Sequence, residues 1–216
     1  MSPGTEFGCL PTAVGSMPHT DPVEACRVVI KYLPQVPAWP QLPLRSFLES
    51  QHAQFAEGFP GLEIEDRNIS VRKSSDFHVQ LEKLYQAYLD GDVDSYPTGP
   101  EHAAGLHALL SWSGLRPMGV KGQITGPVTW GLGITGEGRP ILYDETLSDA
   151  VARFLRLKAA WQEKALRAIS PHTIIFVDEP SLAYFGSAFV SLSREQVLKL
   201  LNEVFLGISG LKGVHC

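Results

Sequence analysis

The chain has 216 residues, of which 44% are hydrophobic and 19% charged, and its formal net charge at pH 7 is -5. This composition is typical of a globular protein, and the lack of a Lys- and Arg-rich cluster argues against nucleic acid as a partner. No apolar run reaches the ~18 residues of a membrane span, and the N-terminus has no signal-peptide pattern. The three cysteines are too scattered for a disulfide framework, so we expect a cytoplasmic protein without a membrane partner.

The first segments predict a strand followed by a helix. Residues 7–16 have the apolar character of a buried strand, which ends at Gly15 and Ser16. Asp21 has the side chain of a helix cap, and Pro22 suits the first helical position. The chain therefore predicts a helix directly after the first strand.

The middle of the chain predicts short, well-separated elements. Its many prolines and glycines exclude long continuous helices. In chain order we expect an extended piece over residues 36–43, a helix over 46–57, a strand or hairpin over 62–72, and helices over 75–90 and 100–113.

The second half alternates strands and helices more regularly. We expect a strand over residues 118–126, a helix over 144–169, a strand over 173–177, a helix over 193–205 and a strand over 211–216. Continuous apolar strands that alternate with helices favour a parallel sheet covered on both faces. This pattern predicts an α/β fold, with the sheet either open or closed as a β/α barrel.

Polar or special residues follow several of the predicted strands. Alone, each pair is a common turn, helix cap or solvated strand end. Because the carboxyl ends of parallel strands meet at one edge, the pairs together predict a functional site. They are Gly15 and Ser16, Gln123 and Thr125, Asp178 and Glu179, and His215 and Cys216.

Four collinear segments resemble a known family over nearly the whole chain. They are "VGSMPHT" from residue 14, "KGQITGPVT" from residue 121, "FVDEPSLAYFG" from residue 176 and "VHC" from residue 214. These segments resemble the catalytic domain of cobalamin-independent methionine synthase, in its short single-barrel form. The family lies within the superfamily of uroporphyrinogen decarboxylase and zinc-dependent thiol methyltransferases.

The resemblance implies a TIM-type β/α barrel in a single domain over residues 1–216. A closed barrel takes about 250 residues, and about six strand-like segments are recognisable here. We therefore expect an incomplete N-terminal portion of the barrel, truncated at the C-terminus and inactive alone. An open sheet edge would then be exposed, or covered by another copy of the chain in a homo-oligomer.

The resemblance also implies a zinc-dependent methyltransferase that methylates the thiol of homocysteine to form methionine. The backbone of Val14, Gly15 and Ser16 would hold the amino-acid end of the substrate. Asp178 would pair with the substrate ammonium and so serve as the catalytic, positioning carboxylate. Glu179 would bind substrate or support the rim of the site.

The metal role falls on the last two residues. His215 would be the first zinc ligand, and Cys216 stands where the family's His-x-Cys motif has its variable residue, so the true second ligand is expected just beyond it. A zinc-bound thiol ionises at neutral pH, which makes the homocysteine sulfur a nucleophile.

Several alternatives stay open. The methyl donor is 5-methyltetrahydrofolate or a methylated corrinoid, and a corrinoid protein suits a chain with no second barrel ahead of the first. A different thiol acceptor is possible, whereas a uroporphyrinogen-type decarboxylase is disfavoured because residues 1–20 contain no arginine. The third hypothesis is a non-enzymatic half-barrel used for binding or assembly. His19, Trp39 and Trp130 either face the site or pack elsewhere.

Overall fold

The computed structural model describes residues 7–187 and 190–216. Helices in this part of the chain are α1 (Pro22–Tyr32), α2 (Phe77–Asp90), α3 (Ala104–Leu110), α4 (Pro127–Gly133), α5 (Glu145–Leu166) and α6 (Arg194–Leu206). Strands are β1 (Leu62–Glu65), β2 (Asn68–Val71), β3 (Val120–Thr125), β4 (Thr135–Gly136), β5 (Arg139–Pro140), β6 (Thr173–Asp178) and β7 (Leu211–His215).

The strands form two separate sheets. β3, β6 and β7 make a parallel sheet in which Asp178 lies opposite Thr125 on one side and His215 on the other. β1, β2, β4 and β5 make a second sheet, with an antiparallel hairpin at each end and a parallel pairing between β2 and β4. The parallel sheet brings the carboxyl ends of its strands to one edge, as the polar strand ends in the sequence predict.

The prediction of a TIM-type barrel is wrong. The described residues form sheets of four and three strands, and neither sheet closes into a ring. Towards the N-terminus, single parallel bridges from Ala38 to Lys121 and from Ser16 to Gln41 extend the parallel sheet without a further ladder. The prolines of segment 36–43 lack the N–H groups that a continuous ladder requires. The parallel sheet is therefore open.

Helix α5 covers one face of the parallel sheet. It packs against β3, β6 and α6, and buried side chains on its inner side join the apolar core. Its Glu163 also accepts hydrogen bonds from Ser209 N (2.9 Å), Gly210 N (2.6 Å) and Thr173 Oγ1 (2.8 Å). The Glu163 carboxylate therefore links the turn before β7 to the start of β6 through hydrogen bonds.

Capping explains where the predicted helices begin. The Asp21 carboxylate accepts from Val23 N (2.8 Å) and Glu24 N (2.9 Å) at the start of α1. At α6, Ser193 and Gln196 form the predicted reciprocal capping box. Both predicted helix starts are confirmed, because the capping residues satisfy backbone N–H groups that a helix leaves free.

Two local predictions are wrong. Residues 7–16 do not form a buried strand, since only Ser16 joins a bridge and Val14 is 51% exposed. The helix expected over residues 46–57 is limited to one short turn, Phe47–Glu49. The glycine-rich region between β3 and α5 contains α4 and the β4–β5 hairpin.

None of the helices in the described residues is long and apolar enough to cross a membrane.

Candidate functional site

A pocket of about 250 Å³ opens at the carboxyl edge of the parallel sheet. It brings together residues from the N-terminal segment, from the loop after Gln41 and from the ends of β3, β6 and β7. Five of the residues predicted for the site lie in its wall: Val14, Ser16, Thr125, Asp178 and His215. The rest of the lining is Gln41, Pro43, Glu49, Gln51 and Pro180.

Two buried carboxylates line this pocket: Glu49, which accepts hydrogen bonds from Leu42 N and Arg45 Nη1, and Asp178. Asp178 is 8% exposed, and its Oδ1 is buried without a hydrogen bond from any described residue. His215 Nδ1 lies 3.4 Å from that oxygen, close enough for an ion pair but without hydrogen-bond geometry. Burial raises the pKa of Asp178, and the charge of Lys121 and the contact with His215 oppose the rise. The pocket therefore presents a buried acceptor whose nearest donor, His215 Nδ1, lies outside hydrogen-bond geometry.

Lys121 lies beneath the pocket and stabilises its wall. The ammonium donates to the carbonyl oxygen of Val14 and, at 3.1 Å, to Gln123 Oε1. It also lies 5.0 Å from the centre of the Phe176 ring. Burial lowers the pKa of Lys121 to about 8, and the negative charge of Asp178 opposes the change. A buried cation thus joins β3 to the N-terminal segment and faces the Asp178 carboxylate.

Gly15 allows the N-terminal segment to approach this polar layer. Its φ of 135° is unfavourable for other residues. A Cβ atom at this position would lie 2.5 Å from Gln123 Nε2 and 2.9 Å from Gln41 Oε1. The backbone pairs with Gln41, whose N–H donates to Gly15 O at 2.9 Å. Gly15 is therefore needed for its backbone conformation and because a side chain would not fit between Gln123 and Gln41.

A chain of side-chain amides runs from the pocket into the core. Gln41 Nε2 donates to Gln54 Oε1 at 2.6 Å, and Gln54 Nε2 donates to the His102 carbonyl oxygen at 3.0 Å. Both glutamines are buried. Neither was predicted as a site residue, because glutamine in a proline-rich segment and in a predicted helix gives no distinctive pattern.

Glu179 lies beneath α4, and its carboxylate is fully buried. Its Oε1 accepts from Val128 N at 2.9 Å, while its Oε2 accepts from Thr129 N and Thr129 Oγ1, each at 2.7 Å. Burial raises the pKa of Glu179, and these donors oppose the rise. The structure places Glu179 as the anchor of the α4 N-terminus, outside the lining of the pocket.

The aromatic residues with open roles belong to the core. Trp39 and Trp130 are fully buried, and Trp39 Nε1 donates to Gln162 Oε1 at 3.1 Å. His19 is half-buried and lies outside the pocket lining, with its Nδ1 lacking a partner among the described residues. None of these three residues lines the pocket.

The two predicted metal ligands, His215 and Cys216, lie on different sides of the end of β7. Successive strand residues point to opposite faces, and Cys216 follows directly after β7, is exposed and does not line the pocket. Among the described residues no group of three or more His, Cys, Asp or Glu side chains is placed to hold a metal. A zinc site uses at least three protein ligands, so the described residues do not fit a complete zinc site.

No family model, curated protein or solved structure matches this chain. The chemistry of the pocket therefore rests on its own geometry. It combines the buried carboxylates of Asp178 and Glu49, an imidazole, the hydroxyl of Ser16 and the amide of Gln41 around a space for a small polar molecule. Such a set suits a ligand that carries a cationic N–H donor at one end.

Proposed function

We propose that this pocket binds the amino-acid end of homocysteine, and that the protein is a methyltransferase acting on the homocysteine thiol to form methionine. The observation that carries the proposal is the buried Oδ1 of Asp178 in the pocket wall, which accepts no hydrogen bond from the described residues and has only the 3.4 Å contact with His215 Nδ1. A buried carboxylate oxygen without a donor costs free energy. An ammonium group would supply the missing donors and the compensating charge.

The surrounding residues give the ligand a direction. Asp178 receives the ammonium, while the hydroxyl of Ser16, in the same wall, is available to the carboxylate of the amino acid. His215 lies on the neighbouring strand, beside Asp178. With the amino-acid end fixed by a charge-assisted contact, the sulfur of a short side chain has few positions to occupy.

Zinc is the group that this chemistry requires to make the thiol a nucleophile, and His215 is the one histidine or cysteine among the described residues of the pocket wall. The described residues do not complete the coordination of a zinc ion. What this chain supplies is binding and orientation of the substrate. A methylated corrinoid carried by a corrinoid protein is the proposed methyl donor, with 5-methyltetrahydrofolate as the alternative.

Isothermal titration calorimetry tests the binding part of this proposal. The two probes are L-homocysteine and 4-mercaptobutanoate, which keeps the thiol and the carboxylate but lacks the amino group. We expect homocysteine to bind at least about tenfold more tightly, as for one charge-assisted hydrogen bond. Equal affinity for the two thiols, or no binding of homocysteine, would exclude an ammonium site at Asp178.

A further inference from the structure

The amide of Gln41 is held in one orientation by a chain of hydrogen bonds that begins outside the pocket. The His102 carbonyl oxygen is an acceptor and nothing else, so the group that contacts it must be the NH₂ of Gln54. The oxygen of Gln54 then faces Gln41, where it requires a donor. The NH₂ group of Gln41 must therefore point inward, to Gln54.

Gln41 lines the pocket. Because its NH₂ group points inward to Gln54, its oxygen is the amide atom left on the side of the pocket. None of the hydrogen bonds among the described residues uses this oxygen. Gln41 lines the same pocket as Asp178, whose Oδ1 is also without a donor. Two unused acceptors therefore belong to one wall.

The second amide under Gly15 is fixed in the same way. Lys121 donates to Gln123 Oε1, so the Gln123 NH₂ group turns to the Trp39 carbonyl oxygen at 3.1 Å. A lysine ammonium has no acceptor, which makes the orientation of Gln123 unambiguous. The side-chain amides of Gln41 and Gln123, both near Gly15, therefore each have one fixed orientation of their NH₂ group and their oxygen.

We propose that Gln54 is a positioning residue that makes the pocket selective for ligands with N–H donors, because it keeps the Gln41 oxygen turned towards the ligand. Without Gln54, the Gln41 amide is free to rotate and to present its NH₂ group instead. That rotation would replace an acceptor with a donor next to the ligand ammonium. The choice of homocysteine as ligand rests on the proposed function, whereas the orientation of Gln41 does not.

Three variants separate orientation from packing. Gln54→Met keeps the side-chain volume but removes both hydrogen bonds. Gln54→Glu, protonated because it is fully buried, donates to the His102 carbonyl through its hydroxyl and still accepts from Gln41. Gln162→Met is the matched control, since Gln162 is also a fully buried glutamine with two hydrogen bonds, to Trp39 Nε1 and Gln123 O, and lies outside the pocket lining.

The ligand-independent readout is hydrogen exchange of the Gln41 side-chain NH₂ group, followed by ¹⁵N–¹H NMR. We expect slow exchange in the wild type, in Gln54→Glu and in Gln162→Met, and fast exchange in Gln54→Met. Equal protection in the wild type and Gln54→Met would overturn the proposal, because Gln54 would then not hold the amide.

The ligand readout is the ratio of affinities for L-homocysteine and 4-mercaptobutanoate. We expect Gln54→Met to reduce this ratio roughly tenfold, while Gln54→Glu and Gln162→Met preserve it. A ratio unchanged in Gln54→Met, or reduced equally in Gln162→Met, would contradict the selectivity role. If the wild type binds neither thiol but the exchange pattern is as expected, the proposed function fails and the orientation of Gln41 stands.

Discussion

Asp178 and His215 occupy the same register position on neighbouring parallel strands, with Asp178 Oδ1 3.4 Å from His215 Nδ1. The two side chains stand together because strands β6 and β7 are in register and residues at equal heights point to the same face. A negative group and a potentially positive group thus share the edge of one pocket. The pairing depends on backbone geometry, so it is present before any ligand binds.

The pH dependence of homocysteine binding should report the ionisation of Asp178. Its pKa is raised by burial, and only the carboxylate pairs with an ammonium. Binding should therefore weaken as the pH falls through this raised pKa, at a pH above the ordinary Asp value of about 3.9. In Asp178→Asn, this acid limb should disappear and affinity at pH 7 should fall at least about tenfold.

Calorimetric titrations from pH 4 to pH 7 measure this effect. The Asn variant should bind 4-mercaptobutanoate with nearly wild-type affinity, since that thiol has no ammonium. An equal loss for both thiols would indicate a damaged pocket rather than a missing charge pair.

Gly15→Ala should destabilise the protein by about 2 to 4 kcal/mol. The new methyl group would meet Gln123 Nε2 at 2.5 Å, in addition to the cost of the positive φ. Gly91→Ala is the control, because Gly91 also has a positive φ, of 67°, but has open space around the added atom. Urea unfolding should give the control a loss of about 1 kcal/mol. Similar losses at both positions would rule out the clash.

Glu179→Gln should reduce the free energy of unfolding by about 2 to 3 kcal/mol. The carboxylate accepts three hydrogen bonds from Val128 and Thr129. An amide would turn an NH₂ group towards one of these donors and leave it unpaired. Glu82→Gln, on the exposed side of α2, controls for the loss of one charge. Urea denaturation measures both, and equal stability of the two variants would contradict the anchoring role.

Lys158→Met should change how stability depends on pH. Lys158 is fully buried, and burial lowers its pKa to about 8. Between pH 8 and about 10.4 the unfolded chain binds this proton and the folded protein does not, so the lysine's contribution to stability rises with pH. The free energy of unfolding of Lys158→Met, relative to that of the wild type, should therefore be highest below pH 8.

Unfolding free energies at pH 7, 8, 9 and 10 give the wild-type minus variant difference. Above pH 8 it should increase by about 1.4 kcal/mol per pH unit. Lys83→Met, which removes an exposed lysine, controls for the change in net charge. A difference that stays constant from pH 7 to pH 10 would show that Lys158 keeps an ordinary pKa.

The 216-residue chain should retain much less than one equivalent of zinc after metal loading and dialysis. His215 is the one imidazole in the described pocket wall, Cys216 does not line the pocket, and no group of three potential ligands is placed to hold a metal among the described residues. Elemental analysis of dialysed protein measures the ratio, with His215→Ala as the comparison. The expectation would be wrong if the wild type held one tightly bound zinc per chain and His215→Ala held none. His215 would then belong to a complete zinc site.

The sequence predicts the parts of this fold that depend on local chemistry. Helix α1 begins at Pro22 because the carboxylate of Asp21 caps it, and β6 follows from the continuous apolar run before Asp178. Closure of the sheet is different, since it depends on pairing between distant segments. The prolines around Trp39 limit that pairing to single bridges, and no local pattern reports how far a sheet continues.

The same distinction applies to the site. Ser16, Asp178 and His215 were predicted from polar residues at the ends of predicted strands, and Val14 only from the sequence resemblance. All four line the pocket, although residues 7–16 do not form the predicted strand. The role of Glu179 was not predictable, because α4 falls in a glycine-rich region where helix propensity is low. The role of Lys121 could have been predicted, because a charged residue inside a predicted buried strand such as β3 is unusual.

The position of Glu179 has a consequence for its neighbour in the chain. Three hydrogen bonds to α4 fix the Glu179 side chain, and its backbone N–H donates to the His215 carbonyl oxygen at 2.7 Å. Asp178 is covalently attached to this fixed residue, so its backbone torsions are restricted before a ligand arrives. The pocket is thus preorganised, and the conformational entropy of Asp178 is lost during folding instead of during recognition.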